Sequence, residues 1–458
     1  MSSAQVVTRF APSPSGAVHL GNVRTALFSF LLARRERGRF LLRIEDTDAG
    51  RSSETHVSGL LHDLAWLGLA WDGTPWRQSE RGEVYAQYLR QLEQRQLAYP
   101  CFCTPLELEL ERKAQLAAGR PPRYSGRCRN LGDAERSRRQ AQGLRSTLRF
   151  RIEPGADVAF EDLVFGPQHA RREDLGDFVI RREDGSAAFF FANALDDALS
   201  GVTHVLRGED HLTNSYRQLL ILAALSLPAP RYGHVALLLG VDGAPLSKRT
   251  GATSVRELAA AGYAPLALCN QLFRLGHSGA DHSLLDLAQM AQQFETSRLQ
   301  RAPAHFDLAQ LRHWQTLWVQ SLDAAAAREW LRPLLPAGLS EQQITAFVRA
   351  VLPNTILPAD AAYWVGVIHG DALEYSAAAR ERIRAAGPAF FSAAADVAGE
   401  HLALPALRAA TGCKGAELYL PLRAALTGTL HGPDLEALLA AMPPLRIRAR
   451  LLDAARGS

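Results

Sequence analysis

Val6-Val7-Thr8-Arg9-Phe10-Ala11-Pro12-Ser13-Pro14-Ser15-Gly16-Ala17-Val18-His19-Leu20-Gly21-Asn22 is the stretch that decides the fold. Its apolar, β-branched start reads as a strand. The Pro/Ser/Gly segment after it reads as a loop. An amphipathic helix is predicted from about Asn22 to Arg35, and a second strand over Arg39-Phe40-Leu41-Leu42-Arg43-Ile44. This β-α-β pattern over Val6–Glu45 predicts an α/β doubly wound domain, with its chemistry at the carboxyl ends of the strands. A helix N-terminus at a strand exit offers free N–H groups and a positive dipole end to phosphate. Gly21 lets a nucleotide approach the backbone closely, and His19 can donate a hydrogen bond to a phosphate. The glycine-rich dinucleotide fingerprint is absent, which argues against a dehydrogenase.

Working outward, Leu246-Ser247-Lys248-Arg249 follows a predicted strand over His234–Leu239 and reads as a second phosphate loop on the same sheet edge. The chain's only lysines are Lys113, Lys248 and Lys414. Codon bias accounts for the general skew towards arginine. A lysine kept inside this loop points to the compact, flexible ammonium that a guanidinium does not replace. A further strand is predicted over Thr203–Arg207, then a helix ending near Leu227 with Thr213 or Asn214 as its cap. From about Ala98 to Asp174 the composition turns to Arg, Gly, Pro and Cys, which reads as an insertion between two halves of the sheet. From about Pro265 onward Leu and Ala recur at helical spacing, as in Leu435 to Met442, without strands or repeats.

A chain of 458 residues with 47% apolar content has room for about two to four domains. The net charge of +4 fits nucleic-acid binding no better than ordinary solubility. No apolar run reaches the roughly 18 residues of a membrane span. Met1-Ser2-Ser3 leads straight into the strand without a basic and apolar leader, so a cytoplasmic protein with no membrane contact is expected. Five cysteines in such a chain argue against a disulfide framework. Cys101 and Cys103, with Cys128 downstream, read either as a zinc site lacking one ligand or as reduced buried thiols. Cys269 and Cys413 have no neighbouring ligands and read as packing residues.

Taken together, these motifs resemble the class I aminoacyl-tRNA synthetases, in their glutamate-specific branch. The resemblance is carried by Ala11-Pro12-Ser13-Pro14-Ser15-Gly16, His19-Leu20-Gly21-Asn22, Arg43-Ile44-Glu45-Asp46-Thr47-Asp48, Arg207-Gly208-Glu209-Asp210-His211 and the loop at Ser247-Lys248. It covers nearly the whole chain and weakens after about residue 320. It implies a Rossmann-type catalytic domain in two halves, 1–97 and 189–245, split by an inserted acceptor-stem-binding domain, 98–188. A phosphate loop and helical stem-contact domain, 246–320, and an all-α anticodon-binding domain, 321–458, would follow.

The activity implied is that of a glutamate–tRNA ligase. Such an enzyme activates L-glutamate with Mg-ATP and transfers it to the terminal adenosine of tRNA(Glu). The first step usually requires bound tRNA, and a monomer is expected. Whether tRNA(Gln) is charged as well stays open.

Attack of glutamate on the α-phosphate needs no general base, because the nucleophile is already ionised. Catalysis therefore rests on positioning and charge stabilisation. By resemblance, His19 and Lys248 are the catalytic pair, and Gly21, Asn22, Leu246, Ser247 and Arg249 join them around ATP. Glutamate has two carboxylates and an ammonium. Arg9 and Arg207 supply cations suited to carboxylates, Glu45 faces the ammonium, and Ala11, Ser13 and Asn193 complete the amino-acid site. In zinc-containing relatives the fourth ligand is a histidine just after the last cysteine or a tyrosine just before it. Asn130 occupies the first position and Tyr124 the second, which makes Cys101, Cys103, Tyr124 and Cys128 the metal set, with zinc in a structural role.

Two departures stand out. Pro245 replaces the family's usual lysine, and Phe189 stands where relatives often have tyrosine, so Phe189 is left out of the site. RNA contact is expected from Arg120, Arg123, Arg127 and Arg129, and basic surface from Arg446, Arg448 and Arg450. Two alternatives remain: a shorter paralogue that glutamylates a queuosine base in tRNA, and a non-catalytic tRNA-binding protein on the same scaffold. The helical C-terminal half disfavours the glutamine-specific relatives, which normally end in β-barrels.

Overall fold

β1 (Val7–Phe10) and β2 (Arg39–Ile44) run parallel, with Val7 opposite Arg39 and Phe10 opposite Leu42, and α1 (Leu20–Arg35) crosses between them. The computed structural model describes residues 5–47, 53–240, 242–244, 254–279, 281–370, 373–398 and 404–457. It divides into two units, Met1–Glu257 with Cys269–Asp307, and Leu258–Leu268 with Leu308–Ser458.

In the first unit the predicted β-α-β is present, and β2 has the predicted bounds. α1 starts two residues earlier than expected, at Leu20, because His19 is its N-cap: its Nδ1 accepts from Asn22 N at 3.3 Å. Leu20, Val23, Leu27 and Leu31 bury one side of α1, which packs on β1 and β2. After α2 (Glu54–Trp66), β3 (Trp76–Arg77) adds in parallel to β2, and α3 (Gly82–Gln94) follows.

The next segment interrupts the parallel sheet. It holds β4 (Ala98–Cys101), α4 (Pro105–Ala117), α5 (Asp133–Ala141), β5 (Thr147–Phe150), β6 (Val158–Asp162), β7 (Gly166–Ala170), α6 (Arg172–Leu175) and β8 (Phe178–Arg181). β4, β5 and β8 form an antiparallel sheet, and β6 with β7 a hairpin. α7 (Phe189–Leu199) leads back to β9 (His204–Gly208), α8 (Leu212–Leu225) and β10 (Arg231–Val235), which pairs in parallel with β9. Val7 O accepts from Thr203 N at 2.9 Å, and Thr203 Oγ1 accepts from Val7 N at 2.8 Å, so β9 lies beside β1. The crevice at the carboxyl ends of β1 and β9 is where an open α/β sheet places its ligand.

Two local expectations change. α8 is entered through a single 3-10 turn, Glu209–His211, and starts at Leu212 with His211 at its N-cap position, so neither Thr213 nor Asn214 is the cap. The strand expected over His234–Leu239 ends at Val235. Its continuation is diverted by side chains: Ala236 O accepts from the Arg24 guanidinium, and Leu237 N donates to Glu209 Oε1 at 2.9 Å. Leu238–Leu239 then forms β11, paired in parallel with a two-residue β12 (Ala304–His305), a strand too short to show a period in the sequence.

The second unit is helical throughout its described residues, with helices Leu308–Ser321, Ala324–Leu331, Glu341–Val351, Pro358–His369, Ala377–Asp396, Leu404–Thr411, Ala416–Thr427, Leu435–Ala441 and Pro444–Ala455. Phe347, Ile368, Phe391, Leu422 and Leu451 belong to one buried core. Gly387, at φ 78°, breaks the Ala377–Asp396 helix just before Pro388, a conformation that suits glycine. Arg450, read from the sequence as surface, is buried and donates to Val367 O and Leu426 O at 2.7 and 2.6 Å. Carbonyls left open near two helix C-termini draw it inward. No helix among the described residues is long and apolar enough to cross a membrane.

Candidate functional site

A cleft of about 450 Å³ opens at the carboxyl ends of β1 and β9. Arg9, Ala11, Ser13, His19, Asn22, Glu45, Asn193 and Arg207, scattered over some two hundred residues of sequence, all line it. Phe189 also lines it, stacked on His211 with ring centroids 5.5 Å apart, so the residue set aside on sequence grounds belongs to the wall. Gly21 does not line the cleft. A Cβ there would come 3.1 Å from His19 Nδ1, so glycine leaves the histidine ring its place. Leu246, Ser247, Lys248 and Arg249, together with Pro245 and Asp48, lie outside the described residues.

The floor of the cleft is an ionic lattice that the sequence did not reveal. Asp197, fully buried on α7, accepts from Arg9 Nε at 3.2 Å and from Arg43 NH1 at 2.5 Å. Arg43 also reaches Glu45 Oε1 at 3.3 Å and the Asn193 side-chain oxygen. Burial alone would raise the Asp197 carboxyl, but Arg43 and then Arg9 hold it below its ordinary range. Burial lowers the Arg43 guanidinium, and Asp197 and Glu45 more than reverse that, so its pKa is raised. Glu45 lies above its usual range because burial outweighs Arg43 and Arg9. The next residue, Asp196, accepts from Arg81 Nε and Tyr85 Oη, each at 2.7 Å. The adjacent acids Asp196-Asp197, in a helix otherwise apolar except for Asn193, were the available signal. Asp46 serves the fold, accepting from Ser79 N at 2.8 Å and Ser79 Oγ at 2.9 Å.

Arg207 differs from its neighbours. It is 6% exposed, and among the described residues its side-chain partners are neutral: Ser215 Oγ at 2.7 Å and His234 Nε2 at 3.2 Å. Burial draws its pKa down to about 10. A buried guanidinium without a hydrogen-bonded carboxylate is a built anion site. Arg9 reaches the same cleft with part of its fork on Asp197 and the Leu206 carbonyl. His19 stands exposed at the rim, and desolvation by the cleft walls lowers its pKa against the pull of Asp210. Because Nδ1 accepts at the helix cap, the neutral ring carries its proton on Nε2, ready to donate.

In the interrupting segment, Cys101, Cys103 and Cys128 are buried with their sulfur atoms within 4.8 Å of one another. Tyr124 Oη lies 3.4 Å from Cys101 Sγ and 3.7 Å from Cys103 Sγ, and Cys103 and Cys128 Sγ are 3.7 Å apart. Tetrahedral zinc with bonds of about 2.3 Å separates its sulfur ligands by about 3.8 Å, so these donors fit a single ion. The Arg149 guanidinium sits 3.9 Å from the Tyr124 ring centre. Burial alone would raise the Cys101 thiol, but its hydrogen bonding with Tyr124 and the nearby Arg149 hold it below its ordinary value, whereas burial pushes Cys103 up to about 12.

The RNA arginines separate by role. Arg129 is committed to Asp177, at 2.7 Å, and to the Ile152 carbonyl, and so serves packing. Arg127 pairs with Glu107 at 3.2 Å on the surface, and Arg123 with Asp174 at 3.7 Å. Arg120 is exposed.

Residues 5–313 match the family described as tRNA synthetases class I (E and Q), catalytic domain, and residues 286–455 match an anticodon binding domain. Glutamate–tRNA ligase 2 of Nitrosococcus oceani is 53% identical, with 98% of each chain covered. Glutamate–tRNA ligase 1 of Methylococcus capsulatus is 50% identical, again with 98% of each covered. Among solved structures, the glutamate–tRNA synthetase of Elizabethkingia anophelis superposes with a TM-score of 0.88 at 26% identity, covering 99% of this chain and 100% of that one.

Proposed function

Because the chain belongs to the glutamate–tRNA ligases of class I, we propose that its cleft activates L-glutamate with ATP and hands it to tRNA(Glu). The observation that carries this reading is the pair of buried guanidiniums, Arg9 and Arg207, facing one cleft with the buried carboxylate of Glu45. Two cations meet the two carboxylates of glutamate, and Glu45 meets its ammonium. Ala11, Ser13 and Asn193 close the walls around the amino acid, and Asn193 also braces Arg43. The substrate carboxylate is already ionised, so the protein needs only to align it with the α-phosphate and to stabilise the charge that develops there. We assign the Nε2–H of His19 and, with Asn22, the positive end of α1 to that charge, while Gly21 leaves the histidine ring its place. Lys248, with Leu246, Ser247 and Arg249, is assigned to the leaving pyrophosphate. Magnesium enters with ATP as part of the substrate.

The anticodon match over residues 286–455 supports tRNA as the acceptor and disfavours the shorter base-modifying paralogue. Charging purified tRNA(Glu) and tRNA(Gln) side by side decides whether the second is also accepted. We assign Cys101, Cys103, Tyr124 and Cys128 to a structural zinc, which would tie β4 to the 124–128 loop. The test of the amino-acid site is glutamate-dependent ATP–pyrophosphate exchange with tRNA present. Arg207→Gln raises the KM for glutamate by roughly ten- to hundredfold, as expected for a lost hydrogen bond to a charged group. An unchanged KM in that variant refutes the assignment.

A further inference from the structure

Behind Arg207, away from the cleft, a chain of buried side chains has no part in the proposed chemistry. His234 lies on β10 directly opposite Arg207 on β9. Asp162, His234 and Ser215 are 2%, 0% and 0% exposed. Asp162 Oδ1 accepts from the backbone N–H groups of Val164 and Phe165, each at 2.9 Å, and of His234 at 3.3 Å. Its Oδ2 lies 2.5 Å from His234 Nδ1. A carboxylate ringed by donors stays ionised, and these bonds hold Asp162 below its ordinary pKa although burial alone would raise it. The His234 proton therefore sits on Nδ1, and Nε2 keeps its lone pair.

That lone pair has donors to meet. Nε2 is 3.2 Å from Arg207 Nε and 3.0 Å from Ser215 Oγ, and Ser215 Oγ accepts from Arg207 NH2 at 2.7 Å. A guanidinium only donates, so just one tautomer of one charge state fits: neutral imidazole with its proton on Nδ1. Arg9 and Arg43 are held by a carboxylate that also offsets their charge. Arg207 is held by two neutral acceptors, so its orientation is fixed while its charge stays available to a ligand.

Asp162 is the last residue of β6, where the strand enters the turn to β7, in the segment that interrupts the sheet. The turn seats on β10: Leu163 N donates to Tyr232 O at 2.8 Å, and a Cβ on Gly233 would come 3.1 Å from Leu163 Cβ. We infer that Asp162, His234 and Ser215 are positioning residues for Arg207, and that seating of the interrupting segment on β10 thereby sets the amino-acid site. This rests on the reading of Arg207 as a glutamate ligand.

The test uses the full chain with tRNA, in ATP–pyrophosphate exchange. Asp162→Asn can turn its amide NH2 towards His234 Nδ1, which forces the proton to Nε2 and sets it against the Arg207 donors. The expected result is at least a tenfold rise in the KM for glutamate, a KM for ATP within twofold of the parent, and a swap of the two imidazole nitrogen resonances of His234 by NMR. His234→Gln, whose side-chain oxygen can reach the Nε2 position, recovers most of the affinity for glutamate. His234→Asn reaches only the Nδ1 position and does not recover it. Equal KM values for glutamate in the parent, Asp162→Asn and His234→Asn, alongside a raised KM in Arg207→Gln, overturn the relay while leaving the amino-acid site standing. An unchanged KM in Arg207→Gln removes the site itself and the relay with it. Parallel rises in the KM for ATP and for glutamate in Asp162→Asn reduce these residues to a general packing role and also overturn the proposal.

Discussion

Asp197→Asn is the sharpest probe of the ionic floor. One fully buried carboxylate serves two buried guanidiniums, Arg9 and Arg43, and Asn keeps its shape and an acceptor but removes its charge. A charge pair about 4 Å apart is worth roughly 4 kcal/mol at the effective dielectric of about 20 that suits such sites. Removing one partner of a buried pair costs about 3–5 kcal/mol. The acceptor that Asn retains places the expected loss near the lower end, about 3 kcal/mol. That is a large part of the roughly 5–15 kcal/mol that separates folded from unfolded domains.

The pH must be chosen with the sign of the linkage in view. The folded pKa of Asp197 is lowered, so its contribution is fully present above the ordinary carboxyl value of 3.8 and is lost as pH falls through the folded value. At pH 7 the whole effect is visible. Hydrogen exchange of the amides of Val7–Phe10 and Arg39–Ile44 reads it directly, because β1 and β2 carry the two arginines. Exchange there should accelerate by roughly two orders of magnitude, while the core amides of Glu341–Val351 in the second unit keep their rates. The KM for glutamate should rise as well, because Glu45 is left to offset both Arg9 and Arg43. An acceleration below about threefold in β1 and β2 would refute the reasoning, since the guanidiniums would then be balanced by something other than Asp197.

Two further outcomes follow from buried groups elsewhere. Metal analysis of the purified chain should give one zinc per molecule, and Tyr124→Phe should lower zinc affinity by at least about tenfold. Losing even a group behind a metal ligand costs about 10–100-fold, so unchanged affinity would exclude the phenol as a ligand. His277, stacked between Phe273 and Phe294, has its pKa lowered to about 4 by burial, with Nε2 accepting from Glu295 N at 3.1 Å. It stays neutral when folded while an unfolded histidine protonates near 6.5, so stability is full above 6.5 and falls by up to about 3 kcal/mol as pH drops towards 4. Urea midpoints from pH 4 to 7 should therefore vary less steeply in His277→Gln, and an unaltered slope would mean that other histidines carry the effect.

The legible part of this molecule was the part written in local pattern. Val7 to Phe10 and Arg39 to Ile44 are apolar runs of strand length on either side of a helix, so β1, α1 and β2 could be read from spacing. The cysteine spacing likewise marked the sulfur cluster that the fold brings together. What could not be read depends on partners distant in sequence. Asp197 meets Arg9 across 188 residues, and His234 meets Asp162 across 72. The end of β10 was missed for the same reason: Arg24 and Glu209 take the hydrogen bonds that would have extended it. Arg450 looked like surface because a guanidinium that caps helix carbonyls has the same one-letter code as one in water.

With the cleft assigned to the amino acid as proposed, its charges favour glutamate over glutamine. Among the described residues, the acid and the strong bases in its wall are Glu45, raised by burial against Arg43 and Arg9, and Arg9 and Arg207, with His19 and His211 both lowered towards the neutral form. Glutamate presents the mirror image, two anions and one cation, so each buried charge finds an opposite. Glutamine lacks one of the anions and would leave one guanidinium desolvated and unanswered. The two arginines are not equivalent in that loss. Arg9 already shares Asp197, whereas among the described residues Arg207 has no hydrogen-bonded carboxylate: Ser215 and His234 take its hydrogen bonds, and the Tyr232 ring lies 5.0 Å from it. The substrate anion facing Arg207 is thus the one whose absence the site tolerates least. A site built around a charged group rejects a ligand lacking that group mainly through the partner it leaves unpaired. The neutral imidazole of His234 therefore does more than orient Arg207: a carboxylate in its place would satisfy the guanidinium in advance and erase the difference between the two amino acids.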